Sequence, residues 1–279
     1  WFSNCLFMIF PLISPFASRG VSGTPSSGYD ADAQAFFDRV TAATGSTSTL
    51  EKNAVNQLVL DLKNYGIWSK RKVIYPYVGS SAASCAQNLA SSSFTGIFST
   101  GFSFASSGIS GVSAYMRTGF NPNVEGLAYN DNSIGFYSRS TNQNTGQYDC
   151  GCGTTSGSAL FDLCCRRSGN TSIYDSANAP NNRVNVSNSN SGGFFLGKAN
   201  SSTAKLYRAG TEIGTKAMSV RSMPNYELYS YGFNEQNTTI YYTTRDCAFF
   251  WIGFGLTDTE AANLSTAVQT FQTTLSRQV

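Results

Sequence analysis

Between about Phe94 and Ile252, short apolar or alternating runs follow one another, split by glycine, asparagine and serine. Examples are "SFTGIFSTGFSF", "SIGFYSRS", "ALFDLCCRR", "GFFLGKA", "YELYSYGF", "TIYYTT" and "CAFFWIGFG". Runs of this length with alternate apolar positions are strands, and no segment of helical period separates them. Strands without crossover helices pair mainly with antiparallel neighbours, so the stretch is expected to form an antiparallel sandwich or barrel. In "KLYRAGTEI" two strands flank Ala209-Gly210, a tight hairpin turn. The composition fits such a turn-rich β protein: 13% of residues are charged and 14% aromatic.

Helical signals bound this region on both sides. "DADAQAFFDRVTAATG" offers Asp30 as N-cap, an apolar face of Ala33, Phe36, Phe37, Val40 and Ala43, and Gly45 as a stop. "STLEKNAVNQLVLDLKNYGIW" carries a capping box from Ser48 to Glu51 and a stripe of Val55, Leu58, Leu62 and Tyr65. The short connection predicts an antiparallel helical hairpin. At the C-terminal end Thr257 and Glu260 form a second capping box, followed by Ala261, Leu264, Val268, Phe271 and Leu275 at spacings of three and four. The expected organisation is an arm and linker over 1–28, the hairpin over 29–69, the β-sandwich over 70–255 and a packed helix over 256–279. Lys70-Arg71-Lys72 reads as a solvated approach to the first strand.

The chain has no histidine, which removes Ser-His and Cys-His nucleophile pairs and every His-ligated metal site. The formal charge of +3 comes without a basic stripe, so no nucleic-acid partner is expected. Seven cysteines include Cys150-Gly-Cys152 and the adjacent Cys164-Cys165, a poor match to zinc knuckles. Free thiols are the first reading, ahead of disulfides and of metal. No cofactor is expected.

The opening run "WFSNCLFMIFPLISPF" is apolar, but it is short and broken by Pro11 and Pro15, so no membrane span is expected. It resembles the apolar part of a signal peptide without the basic start or a clear cleavage site. Phe2, Leu6, Phe7, Ile9, Phe10, Leu12, Ile13 and Phe16 are expected to dock this arm on other chains of an assembly, with a retained leader as the alternative.

The stretches "DLKNYGIWSKRKVIYPYVG" and "GLTDTEAANLSTAVQTFQTTLSRQV" resemble a family of phage virion-associated proteins. In that family a helical segment precedes a concanavalin A/laminin-G-like β-sandwich, and a C-terminal helix follows it. The resemblance covers nearly everything after Gly28 and implies a structural protein of a tail or capsid surface. Its partners would be other virion proteins, further copies of itself and a host-surface glycan.

Sandwiches of this kind also host glycoside hydrolases, which need two carboxyls about 5 Å apart for retaining chemistry. No E-x-D-x-x-E strand occurs; Glu212 and Glu227 stand alone, and Asp258 and Glu260 are accounted for by helix capping. A sugar-binding role is better supported, because Tyr226, Tyr229, Tyr231, Tyr241 and Tyr242 are close in sequence and alternation exposes some of them. "YNDNSIG" has oxygen ligands suited to calcium but no complete loop motif, and reads as a turn. Five N-x-S/T sequons, from Asn170 to Asn263, matter only in a eukaryotic secreted protein. The expected function is therefore a non-enzymatic virion structural protein. The alternatives are a secreted lectin-like carbohydrate-binding module and, third, a glycoside hydrolase.

Overall fold

A computed structural model of the chain describes residues 28–140, 148–178 and 181–279. The helical hairpin forms as its caps dictate. In α1 (Ala31–Ala42) the Asp30 side chain accepts from the Asp32 amide, and α2 (Thr49–Asn64) has the reciprocal Ser48–Glu51 box. A short α3 (Ala82–Cys85), opened by Ser81, has no period long enough to betray it in the sequence. The last helix, α4 (Asp258–Thr274), starts at the Thr257–Glu260 box.

The strands are β1 (Arg71–Tyr75), β2 (Ile97–Phe98), β3 (Phe102–Ala105), β4 (Gly108–Gly111), β5 (Met116–Arg117), β6 (Asp131–Ser138), β7 (Cys150–Gly153) and β8 (Leu160–Arg167). They continue with β9 (Thr171–Ser176), β10 (Arg183–Ser187), β11 (Gly193–Asn200), β12 (Thr203–Arg208), β13 (Thr211–Ala217), β14 (Tyr229–Glu235), β15 (Thr239–Tyr241) and β16 (Cys247–Gly253). One sheet runs β13-β12-β11-β6-β16-β4-β3, with β1 also on β16; the other runs β10-β9-β8-β7-β14-β5-β2, with β15 also on β14. All pairings but one are antiparallel among the described residues; β14 lies parallel to β7, a return that a meander of hairpins does not foreshadow. Ala209 and Gly210 make the expected β12–β13 turn, both at positive φ (48° and 81°).

The architecture is three layers: helices, first sheet, second sheet. Val73, Tyr75, Ile134, Phe136, Phe195, Phe250 and Ile252 of the first sheet face Phe161, Leu163, Tyr174 and Tyr231 of the second. The other face of the first sheet carries Ile74, Tyr137, Phe194, Leu196, Phe249 and Trp251 into the apolar stripes of α1, α2 and α4. Burial on both faces explains why "CAFFWIG" is apolar almost throughout: every residue of β16 is buried. It also explains the C-terminal helix, whose stripe covers the strand that precedes it. Each large side chain so buried contributes about 1.5–3 kcal/mol.

Polar contacts fasten the helical layer. Asp258 does not cap α4; it accepts from Lys198 at 2.5 Å, Lys205 at 2.7 Å and the Tyr207 hydroxyl at 2.8 Å, tying the helix start to β11 and β12. These cations hold its carboxyl below the ordinary carboxylate range. The Lys70-Arg71-Lys72 cluster is not merely solvated. Lys70 pairs with Glu260 at 2.6 Å, Arg71 stacks over Trp68 at 3.8 Å and Lys72 lies over Phe254 at 4.6 Å.

Candidate functional site

A shallow groove of about 470 Å³ opens where the loop after β4 meets β15 and the residues that follow it; its walls are Gly111, Val112, Ser113, Ile240, Tyr241, Tyr242 and Thr244. Val112 and Tyr242 are 81% and 38% exposed, apolar surface turned to water at the rim. From Tyr242 to Asp246 exposure alternates, so Thr243 and Arg245 point inward while Tyr242 and Thr244 point out. The inward pair is held by Asp149, which accepts from Thr243 Oγ1 at 2.5 Å and from Arg245 Nε at 2.9 Å. Across the groove, Tyr231 accepts from the Gly111 amide at 3.0 Å and donates to the Arg245 carbonyl at 2.7 Å, one hydroxyl bracing both walls.

The five tyrosines singled out in the sequence therefore separate. Tyr241 and Tyr242 line the groove. Tyr231 is fully buried beneath it, Tyr229 is 7% exposed and stacks on Tyr115 at 5.2 Å, and Tyr226 packs half-buried against the core. The cause is local: the register shifts between Tyr229 and Tyr231, which breaks the simple alternation of "YELYSYGF".

Tyr241 also begins a row that sequence reasoning missed. Across the second sheet, Tyr241 faces Phe233, Phe233 faces Gly151, Gly151 faces Asp162, Asp162 faces Asp175 and Asp175 faces Arg183. Phe161 and Leu163 point into the core, so Asp162 and its row lie on the sheet's outer face. Gly151 sits at φ +140°, and a Cβ there would come within 2.5 Å of the Asp162 Cβ. Tyr148, just before β7, lays its ring on Phe233 at 4.0 Å and edge-on to Tyr241 at 5.6 Å. Asp162 and Asp175 have no exposed surface, and Arg183 grips Asp175 with Nε at 2.9 Å and Nη2 at 2.7 Å. Burial, then the neighbouring Asp175, pushes the Asp162 carboxyl well above the ordinary range. Looking for carboxylates along one strand cannot find this pair, because its members stand opposite each other on two strands.

The other acidic groups have structural partners. Glu227 binds Arg117 and the Gly119 amide, and Glu212 binds Lys205. Cys85, Cys150, Cys152, Cys164, Cys165 and Cys247 are buried free thiols, and burial raises each of them. Among the described residues no three Cys, Asp or Glu side chains converge on a point that would hold a metal ion, and no helix is long and apolar enough to cross a membrane. In "YNDNSIG" only Tyr129 and Asn130 form a turn; from Asp131 the segment is β6, where Asp131 accepts from the Gly255 amide and Asn132 from Tyr174. The docking residues expected in the arm, Phe2, Leu6, Phe7, Ile9, Phe10, Leu12, Ile13 and Phe16, lie outside the described residues.

No family model matches the chain, and no curated protein matches it. Solved structures do. The structure described as HCR/D-Sa-GBL1/C is 11% identical with a TM-score of 0.50, over 72% of this chain and 53% of that one. Domain 4 of AbnA, an extracellular GH43 arabinanase from Geobacillus stearothermophilus solved with arabinotriose, is 12% identical with a TM-score of 0.48, over 70% of this chain and 98% of that one. The CBM40 of the Ruminococcus gnavus IT-sialidase, bound to α2,6 sialyllactose, is 16% identical with a TM-score of 0.40, over 53% of this chain and 93% of that one. At these identities the likeness is one of fold, and the fold is a mainly β, two-sheet sandwich with helices before and after it.

Proposed function

We propose that this chain is a non-catalytic recognition module that binds a neutral glycan outside the cell in the groove between Val112 and Tyr242. One observation carries the reading: two tyrosines and two aliphatic side chains form an apolar-walled, hydroxyl-edged groove that contains no charged side chain. A pyranose ring has an apolar face that stacks on an aromatic ring and a hydroxyl rim that bonds Ser113, Thr244 and the tyrosine hydroxyls. Absence of charge in the walls selects neutral sugars over acidic ones. The bracing by Tyr231 and by the Asp149–Arg245 pair keeps the walls in place before a ligand arrives, which lowers the entropic cost of binding.

The only carboxyl pair of the described sheet face, Asp162 and Asp175, has no exposed surface, which favours binding over hydrolysis. Sugars occupy some solved domains of similar fold, arabinotriose in one and sialyllactose in another; that is a property of those proteins. Here the groove supports the lectin-like alternative. The virion role expected from the resemblance has no observation behind it in the fold or the comparisons, and the binding reading replaces it.

Tyr242→Ala and Tyr241→Ala are the direct tests, on an array of neutral arabino-, xylo-, manno- and gluco-oligosaccharides followed by calorimetry. Each loss of a stacked ring should weaken binding at least tenfold, about 1.4 kcal/mol. The melting temperature of Tyr242→Ala should stay near that of the parent, since the residue is exposed. Undiminished binding in both variants, or an array with no bound sugar, would overturn the reading.

A further inference from the structure

The Asp162 carboxyl is the feature of the row that the groove does not explain. It is fully buried, and apart from Asp175 neither of its oxygens has a hydrogen-bond partner among the described residues. Arg183 is spent on Asp175. Burial and the neighbouring charge both favour the protonated form of Asp162, and its cross-strand partner Asp175, gripped by Arg183, is the acceptor that faces it.

The surroundings leave little to absorb another charge. On β8 the row is flanked by the Cys164 thiol and by Arg167; β9 supplies Asp175 and β10 Arg183. On β7 Gly151 has no side chain, and the Cys150 and Cys152 thiols turn to the opposite face. The remaining group is Tyr148, within electrostatic reach of Asp162, Asp175, Arg183 and Arg167. Its ring stacks on Phe233, which pairs with Gly151, and Gly151 in turn pairs with Asp162, so the tyrosine and the carboxyl belong to one cross-strand row.

We propose that the Asp162–Asp175 pair is a proton-dependent latch on the sugar groove. While Asp162 donates to Asp175, the row is charge-balanced by Arg183, and Tyr148 stays seated against Phe233 and Tyr241. Loss of that proton adds a negative charge with no donor to meet it. Water must then reach the carboxylate, and of the groups within its electrostatic reach Tyr148 is the one whose ring also supports the groove-lining Tyr241. The proposal rests on the groove being the glycan site, and it sets the condition under which that site is formed.

The sign follows from the raised carboxyl. As pH rises past about 4, the unfolded chain loses the Asp162 proton at its ordinary value while the folded chain keeps it. The folded state then holds more protons, so stability declines with rising pH until the folded carboxyl itself ionises, and the groove loosens at that same step.

Two readouts test this from pH 5 upward to the alkaline limit of the folded state. Near-ultraviolet circular dichroism follows the Tyr148–Phe233–Tyr241 stack without any ligand. Calorimetry follows the best-bound neutral oligosaccharide of the array above. The parent should show one dichroism step, with at least a tenfold loss of affinity across it. Asp162→Asn retains a donor to Asp175 and cannot ionise; it should show no step and an affinity constant within twofold. Asp175→Asn frees Arg183 for Asp162 and should move the step to lower pH, which keeps the test open if the first variant folds poorly. No step in the parent, or the same step in Asp162→Asn, would overturn the latch. If no oligosaccharide binds at pH 5, the glycan reading fails, and the dichroism step still decides the latch.

Discussion

Replacing Arg277 with methionine is expected to destabilise the protein by about 3–5 kcal/mol, the range for leaving buried polar groups uncompensated. Arg277 is 1% exposed, and among the described residues no carboxylate lies within ion-pair distance of it. Its guanidinium instead donates to the Tyr77 carbonyl at 2.8 Å, to Pro76 and Ala248 at 3.1 Å, and to Gln272 Oε1 at 2.9 Å. Burial pushes it down to about 10, which leaves it protonated at neutral pH. A lone buried cation is costly to desolvate, so methionine recovers part of the loss. The larger effect is on the acceptors: the carbonyl ends of three segments, after β1, in β16 and in α4, meet at this one side chain. Without it the Tyr77 and Pro76 carbonyls and the Gln272 Oε1 lose this donor in a dry interior, while Ala248 keeps only the longer bond from Gln272 Nε2 at 3.3 Å. Arg277→Lys retains the charge but lacks the planar fork, and should fall between the two. Urea unfolding gives the comparison directly, and a midpoint unchanged in Arg277→Met would show that the carbonyls find other donors.

Nothing in "LSRQV" announces this role, and the contrast with the helix caps explains what a sequence can disclose. The boxes at Ser48–Glu51 and Thr257–Glu260 are local: donor and acceptor are three residues apart, so they are legible as written and form as written. The same holds for the Ala209-Gly210 turn and for the alternation that marks the sandwich. Arg277 and Pro76 are 201 positions apart, and only the packed fold introduces them.

The site divides along the same line. Tyr241 and Tyr242 could be singled out because both lie in one short strand and its exit. The pairing of Asp162 with Asp175 depends on β8–β9 register, and its link to Tyr241 depends on the parallel β14–β7 contact, which joins residues about eighty positions apart in the chain. The cysteines of the described residues are free thiols, the first reading of the sequence. What the spacing does not disclose is that strand alternation sends the Cys150 and Cys152 thiols into the core and leaves Gly151, the residue that matters, on the outer face.

The second large effect is expected at Asp149 and Arg245, whose side chains have no exposed surface and meet at 2.9 Å. Asp149→Leu alone strands a buried guanidinium, and Arg245→Met alone strands a buried carboxylate that still accepts from Thr243 and from the Cys165 amide. Each single change should cost about 3–5 kcal/mol. The double variant removes both charges, and apolar replacement of a complete buried pair is often neutral or better, so its loss should be clearly smaller than either single loss. Sugar binding should behave differently. Arg245 donates to the Arg166 carbonyl, and its own carbonyl accepts from Tyr231, so the pair fixes the outward turn of Tyr242 and Thr244 as well as contributing stability. Leucine and methionine fill the space but do not direct that backbone. The double variant should therefore recover its unfolding midpoint while binding the array sugar at least tenfold more weakly than the parent, a loss of about 1.4 kcal/mol. Full recovery of binding along with stability would show that the groove walls are held by packing alone, and that the ion pair has no part in shaping the site.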